Sequence, residues 1–146
     1  MSTSPVLRHL GDLKKYAITA QDNVKQIYLA GPDYGCSASV FFEVWEPGAS
    51  QPSNSHPCSA ETFVILSGQG RAHCDDTTTD LVPGDVLVLP AGSVHQVENS
   101  SATQRMYAVT VMASDMGAMA GGFAALVTGG LAEDLDELDL NALFSR

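Results

Sequence analysis

From residue 25 to residue 112 the chain is a succession of short apolar or alternating segments, each stopped by Gly, Pro, Asn or Asp. The segments 25–30, 39–46, 61–66, 71–75, 86–89, 94–98 and 105–112 read as strands. Gly31-Pro-Asp-Tyr-Gly35, Pro47-Gly48, Ser67-Gly-Gln-Gly70, Pro83-Gly84 and Pro90-Ala-Gly92 read as the turns between them. In 39–46, Val40, Phe42 and Val44 fall on one face and Phe41, Glu43 and Trp45 on the other. Apolar groups on both faces predict a strand covered on both sides. In 94–98 the period of two places His95, Val97 and Asn99 together, opposite Gln96 and Glu98. Many short strands at close spacing predict an all-β antiparallel sandwich or barrel.

The two ends differ in texture. Residues 1–24 carry no clear period and are expected as a partly ordered arm ahead of a barrel over 25–113. Residues 114–146 are expected as a helical segment. There Ser114-Asp115 is a candidate cap, and Met116, Met119, Phe123, Leu126 and Val127 recur at helical spacing. Gly117, Gly121 and Gly122 weaken that helix by about 1 kcal/mol each relative to alanine. A second helix is predicted from Leu131, with Leu135, Leu138 and Ala142 on its apolar face and acids opposite. Both helices are placed outside the barrel, the alternative being a lid faced by Met116, Met119 and Phe123.

Two segments concentrate donor side chains. The first contains Asn54, His56 and Glu61. The second follows the Pro90-Ala-Gly92 turn and contains His95 and Asn99. Asn54 and His56 share a face of an extended segment, and Pro57 supplies a break that lets Glu61 return to it. His95, delivered by a distant strand, completes a set of two imidazoles and one carboxylate. That donor set suits a divalent metal with open coordination positions.

These residues resemble the two motifs of the cupin superfamily. The second motif is matched at Gly84, Pro90, Gly92, His95 and Asn99. The first is matched at Gly48, His56, Glu61 and Gly68, and departs at its leading histidine, where Asn54 stands. The resemblance implies a single double-stranded β-helix, or jelly-roll barrel, outside which the C-terminal helices read above would pack. It also implies a homodimer formed through sheet edges, with 25–30 as a candidate shared strand. Asn54, a neutral amide donor, lowers the expected affinity against a three-histidine site. The expected cofactor is a divalent transition metal held by His56, Glu61 and His95, with Asn54 as a weak fourth ligand or a hydrogen-bond donor. Iron is preferred, with Mn, Ni, Co or Zn as alternatives. A divalent ion with one carboxylate keeps a formal charge of about +1, which favours a small anionic substrate.

Composition narrows the field. The chain has 146 residues, one domain by length, with 45% hydrophobic and 16% charged residues. Lys and Arg number 7 against 17 Asp and Glu, a net charge of −10 that disfavours nucleic acid or an anionic membrane as partner. Glu133, Asp134, Asp136, Glu137 and Asp139 supply half of it and read as a solvated face. With no apolar run long enough to span a membrane and no signal-peptide layout, a cytoplasmic protein is expected. Cys36, Cys58 and Cys74 have no zinc-binding spacing and are expected as free thiols. His73, Tyr107, Phe63 and Phe42 are cavity-lining candidates, with His73 or Tyr107 as the second-shell base that proton-transfer chemistry would require. Two classes of function follow. One is a metal enzyme, either an Fe(II)-type dioxygenase or an isomerase, decarboxylase or lyase. The other is a small-molecule-binding module without turnover.

Overall fold

The computed structural model describes residues 4–56, 59–113 and 122–144. The strands are β1 (Lys14–Ala17), β2 (Val24–Ala30), β3 (Ser39–Trp45), β4 (Glu61–Ser67), β5 (Gly70–Cys74), β6 (Thr77–Leu81), β7 (Val86–Leu89), β8 (His95–Asn99), β9 (Met106–Met112) and β10 (Leu131–Asp134). The helices are α1 (Gly122–Thr128) and α2 (Glu137–Phe144). A seven-stranded sheet runs β10-β1-β2-β3-β9-β4-β7, and a three-stranded sheet runs β6-β5-β8. All the pairings are antiparallel. Bridges from Ser50 to Glu98 and from Asn54 to His95 add the 50–54 segment to the free side of β8.

The two sheets close on a shared core, the arrangement of a jelly roll. Trp45, Phe63, Ile65 and Met106 come from the large sheet, and Ala72, Leu81 and Val97 from the small one. In register, Phe41 lies opposite Thr110, which lies opposite Phe63, so these three share the concave face. Glu43, Trp45, Glu61 and Ile65 follow by alternation.

The fixed glycines of the motifs earn their place through backbone conformation. Gly84 and Gly92 adopt φ of +92° and +84°, although a Cβ at either would meet nothing within 4 Å. The left-handed turn, not space, demands glycine there. Asn99 is a buried clamp. Its Nδ2 donates to the carbonyls of Trp45, Glu46 and Gln104, and its Oδ1 accepts from Ser101 N–H, which ties the turn after β3 to the loop before β9.

The chain ends depart from expectation. The predicted arm contains β1, and residues 131–134 are a strand rather than the start of a helix. Side-by-side opposite charges explain the change: Lys14 pairs in register with Asp134 and Lys15 with Glu133. Gly130 lets the chain close on β1, since a Cβ there would lie 2.2 Å from the Ala17 carbonyl. The predicted apolar stripe is broken accordingly, with Leu131 and Leu138 exposed and Asp139 fully buried.

The acidic run is therefore not simply a solvated face. Lys15, only 2% exposed, meets Asp139 at 2.5 Å. Arg105 reaches Asp136 at 2.8 Å and Asp139 at 3.1 Å, and the Tyr107 hydroxyl donates to Asp139. Leu135 and Leu143 pack with Ile27, Val44 and Tyr107, so α2 sits on the convex face. In contrast, α1 packs Ala124, Val127 and Phe123 on Tyr28 and Phe41, over the open end of the concave face. Met116 and Met119, the rest of the expected lid face, lie outside the described residues. β2, expected as a strand two copies could share, is flanked by β1 and β3, and the sheet edges are β10 and β7. Among the described residues no helix is long and apolar enough to cross a membrane.

Candidate metal centre

Glu61 opens β4 and His95 opens β8, both pointing inward, while His56 comes from the segment between the sheets. One ligand atom from each lies within 4.8 Å of the other two. His56 Nε2 is 3.6 Å from Glu61 Oε2, and His95 Nε2 is 3.8 Å from Glu61 Oε1. The carboxylate thus faces one imidazole with each oxygen, and the two rings stand 5.5 Å apart between centroids.

The second motif holds the first in place. Asn54 and His95 exchange backbone hydrogen bonds, Asn54 N–H to His95 O at 2.9 Å and His95 N–H to Asn54 O at 2.8 Å. Gly92 N–H donates to the His56 carbonyl at 2.9 Å, so the Pro90-Ala-Gly92 turn carries the first imidazole as well as introducing the second. At the entry to β8, Asp75 N–H donates to the Val94 carbonyl, and Val94 N–H donates to Asp75 Oδ1.

The fit to a cation follows from the donor chemistry. Both His95 ring nitrogens are buried without a hydrogen-bond partner, and so is Asn54 Oδ1, in the residue paired with His95. Buried polar atoms are rarely left so, and the lone-pair nitrogen that His95 turns toward the Glu61 carboxylate is what a divalent ion satisfies. Ligands about 2.1 Å from one ion stand roughly 3–3.4 Å from each other, so the observed separations need only a small contraction. Burial lowers the His95 pKa from its ordinary value of 6.5, and the neighbouring charge of His56 acts in the same direction. His95 is consequently neutral near pH 7, the form that ligates. Pro57 and Cys58 lie outside the described residues, as does the break expected at Pro57.

The cavity-lining candidates divide. Phe63 faces the core beside Trp45, with ring centroids 6.5 Å apart. His73 does not face it. On β5 it alternates with the buried Ala72, and its ring contacts Thr78 and Glu98 on the outer surface. Tyr107 also points outward, into the contact with α2, and Phe42 packs on that same convex face. Neither His73 nor Tyr107 can act as a base at the triad. Parity was the available signal: Tyr107 and Phe42 alternate with the inward Ala108 and Phe41.

Two further inward groups belong to the site: Phe123, expected as part of a lid face, and Glu43, which was missed as a candidate. Phe123 of α1 packs edge-on against Phe41 at 5.5 Å and stands 6.5 Å from the His56 ring. Glu43, 1% exposed, accepts from Gln26 Nε2 at 2.6 Å. Burial raises its carboxyl above the usual range, opposed by the polar groups of Thr110, Gln26 and Trp45 around it, of which Gln26 makes the hydrogen bond. Its place on the inner face was readable from the period of two; its pairing with Gln26 of β2 was not.

Comparison with known proteins agrees with this geometry. The family model for the cupin domain matches residues 41–112, and the chain belongs to the cupin superfamily. A putative germin-like protein 9-2 of Oryza sativa subsp. japonica is 37% identical over 71 residues, 45% of this chain. The matched stretch spans only 33% of that relative. A cupin superfamily protein from Desulfitobacterium hafniense is 26% identical with a TM-score of 0.55, covering 66% of this chain and 83% of its own. A predicted oxalate decarboxylase from Thermotoga maritima shares the fold at 18% identity with a TM-score of 0.63, covering 73% and 97%.

Proposed function

We propose that the protein is a metal-dependent cupin of the non-haem Fe(II) oxygenase type, acting on a small anionic organic substrate. The observation that carries this reading is the meeting of His56, Glu61 and His95 within 4.8 Å, with both His95 nitrogens lacking other partners. In that arrangement the three side chains would hold the ion and Asn54 would add its amide oxygen or remain beside it. When bound, such an ion supplies Lewis acidity and, if iron, the capacity to activate O₂.

The chain's own contribution is to position and to exclude. Glu61 stands between the two imidazoles with one carboxylate oxygen toward each. The reciprocal Asn54–His95 backbone bonds hold the fourth position in register. Phe123 and Phe41 form the apolar wall that limits water at the His56 side. With His73 and Tyr107 turned away, proton-transfer chemistry lacks, among the described residues, the base expected for it, which favours oxygenation over isomerisation. Decarboxylation is the second reading, suggested by the fold shared with the predicted oxalate decarboxylase.

The test is metal analysis after anaerobic loading with Fe(II), Mn, Co, Ni and Zn, on the wild type, His95→Ala and Asn54→His. About one equivalent in the wild type, loss in His95→Ala and tighter retention in Asn54→His are expected. O₂ uptake by the iron-loaded form with small keto acids and catechols then separates oxygenation from the other chemistries. A wild type that takes up none of these ions refutes the proposal.

A further inference from the structure

A cavity of about 390 Å³ opens between β2, the loop before it and the 50–54 segment. His56, Glu61 and His95 are not among its described lining residues, but two of its walls also border the triad. Asn54 is bonded through its backbone to His95, and Phe123 stands against His56. The cavity is thus the compartment next to the candidate metal centre.

Its chemistry is unusual for a chain of net charge −10. The lining includes the carboxamides of Asn23, Gln26, Gln51 and Asn54, with the hydroxyls of Thr19 and Ser50 between them. No Lys or Arg lines it among the described residues, so a free anion finds no counter-charge there. The single carboxylate, Asp22, already accepts from Thr19 N–H and Oγ1. A buried ammonium would have little to neutralise it and would be costly. Carboxamides and hydroxyls both donate and accept, and the ligand groups that match them are those that also do both, namely hydroxyls. The Phe123 ring and Val24 supply an apolar side for the C–H face of such a molecule.

One wall residue is built to a fixed orientation. Gln26 is 3% exposed and its Nε2 is committed to Glu43 Oε2. That leaves the amide oxygen as the acceptor it can offer. Glu43 in turn sits among Thr110, Trp45 and Gln26, a polar group of the barrel interior that the triad does not use. A buried polar pair on an otherwise apolar strand face costs stability, and holding a ligand-reading amide is a reason to keep it.

We infer that this cavity is a hydroxyl-reading subsite that seats the ring of a small polyhydroxylated molecule, with Gln26 as its specificity-determining residue and Glu43 as the positioning residue behind it. The inference deepens the proposed function and rests on it for the place where the substrate reacts: an anionic oxygen would go to the metal end, the hydroxyls to the amide end.

Three probes matched in ring size separate the contributions: D-glucuronate, cyclohexanecarboxylate and methyl β-D-xylopyranoside, titrated into the zinc-loaded and metal-free protein and followed by ¹H–¹⁵N NMR. D-glucuronate should bind the zinc-loaded form about 10-fold or more tighter than cyclohexanecarboxylate, or about 1.4 kcal/mol. The xyloside should shift the side-chain amides of Gln26 and Gln51 with or without zinc. Gln26→Leu should abolish the preference for hydroxylated probes while zinc affinity is retained, and Glu43→Gln, which keeps a hydrogen-bonding partner, should preserve it where Glu43→Ala does not. Gln51→Ala, at the half-exposed rim, gives a second reading should Gln26→Leu fail to fold, with a several-fold loss for D-glucuronate expected. Equal binding of D-glucuronate and cyclohexanecarboxylate, or discrimination unchanged in Gln26→Leu or Gln51→Ala, overturns the inference. Failure of zinc to bind would instead strike the metal reading and leave the xyloside arm to decide the subsite.

Discussion

Two buried carboxylates sit at opposite faces of the large sheet and are treated in opposite ways. Asp139, on the convex side, is surrounded by cations and donors that the chain provides: Lys15, Arg105 and the Tyr107 hydroxyl. Glu61, on the concave side, is faced by two histidines, of which His95 is kept neutral by burial. The first charge is settled within the fold. The second stands between two imidazoles, in a group of three donors that could hold a metal ion. The same residue type thus serves cohesion in one place and ligand capture in the other, and the neighbours decide which.

That contrast can be broken by substitution, with the largest effect at Asp139. Asp139→Ala should cost about 3–5 kcal/mol in denaturant unfolding, because Lys15 is left buried without its closest acid. Metal uptake should be unchanged where the variant remains folded. Glu61→Gln should do the reverse. Metal affinity, read by competition with a chelator, should fall about 100-fold, or about 3 kcal/mol. The metal-free protein should lose less melting temperature than Asp139→Ala does, since the isosteric amide keeps a hydrogen-bonding group in place. A fall in melting temperature of metal-free Glu61→Gln as large as that of Asp139→Ala would erase the distinction.

Glu43 sharpens the comparison as a third buried acid. Its carboxyl is raised from 4.5 by burial, so the folded state binds a proton more tightly than the unfolded one. Stability from this group is complete below pH 4.5 and is lost as pH rises from there through the folded value. Glu43→Gln should therefore gain on the wild type as pH rises, by about 1 kcal/mol, and match it in acid. Asp136 runs the other way. The Arg105 hydrogen bond holds it well below its usual 3.8, so its contribution is present above pH 3.8 and lost as pH falls below it. Being half-exposed, it should matter by less than about 1 kcal/mol, seen as a shallower acid limb in Asp136→Asn. His73→Ala, on the outer surface, should change neither stability nor metal content measurably.

The concave face was largely legible in the sequence. Period-two alternation put His95 and Asn99 on one side of β8, and the spacing around Pro90-Ala-Gly92 marked the segment that carries them. The same parity rule, applied without exception, would have sent Tyr107 and Phe42 to the convex side. The chain ends resisted for a different reason. Residues 131–142 do carry apolar groups at helical spacing, but Lys14 and Lys15 offer a charge-matched strand edge over one hundred residues earlier, and long-range pairing overrode the local pattern. Lys15 and Asp139 each look like ordinary surface residues until the fold brings them together. β6 escaped notice because Thr77–Leu81 is exposed at all but its last residue and shows no hydrophobic alternation.

The edges of the large sheet are unlike each other. β10 ends it with four exposed residues that include Glu133 and Asp134, ion-paired with Lys25 and Lys14, a charged flank of the kind that discourages pairing with a further strand. β7 ends it with Val86 and Val88 turned to solvent, beside the exposed Leu66 of β4. The molecule therefore has one charged rim and one apolar rim, and a single lysine in place of Val88 would tell which of the two governs its behaviour in concentrated solution.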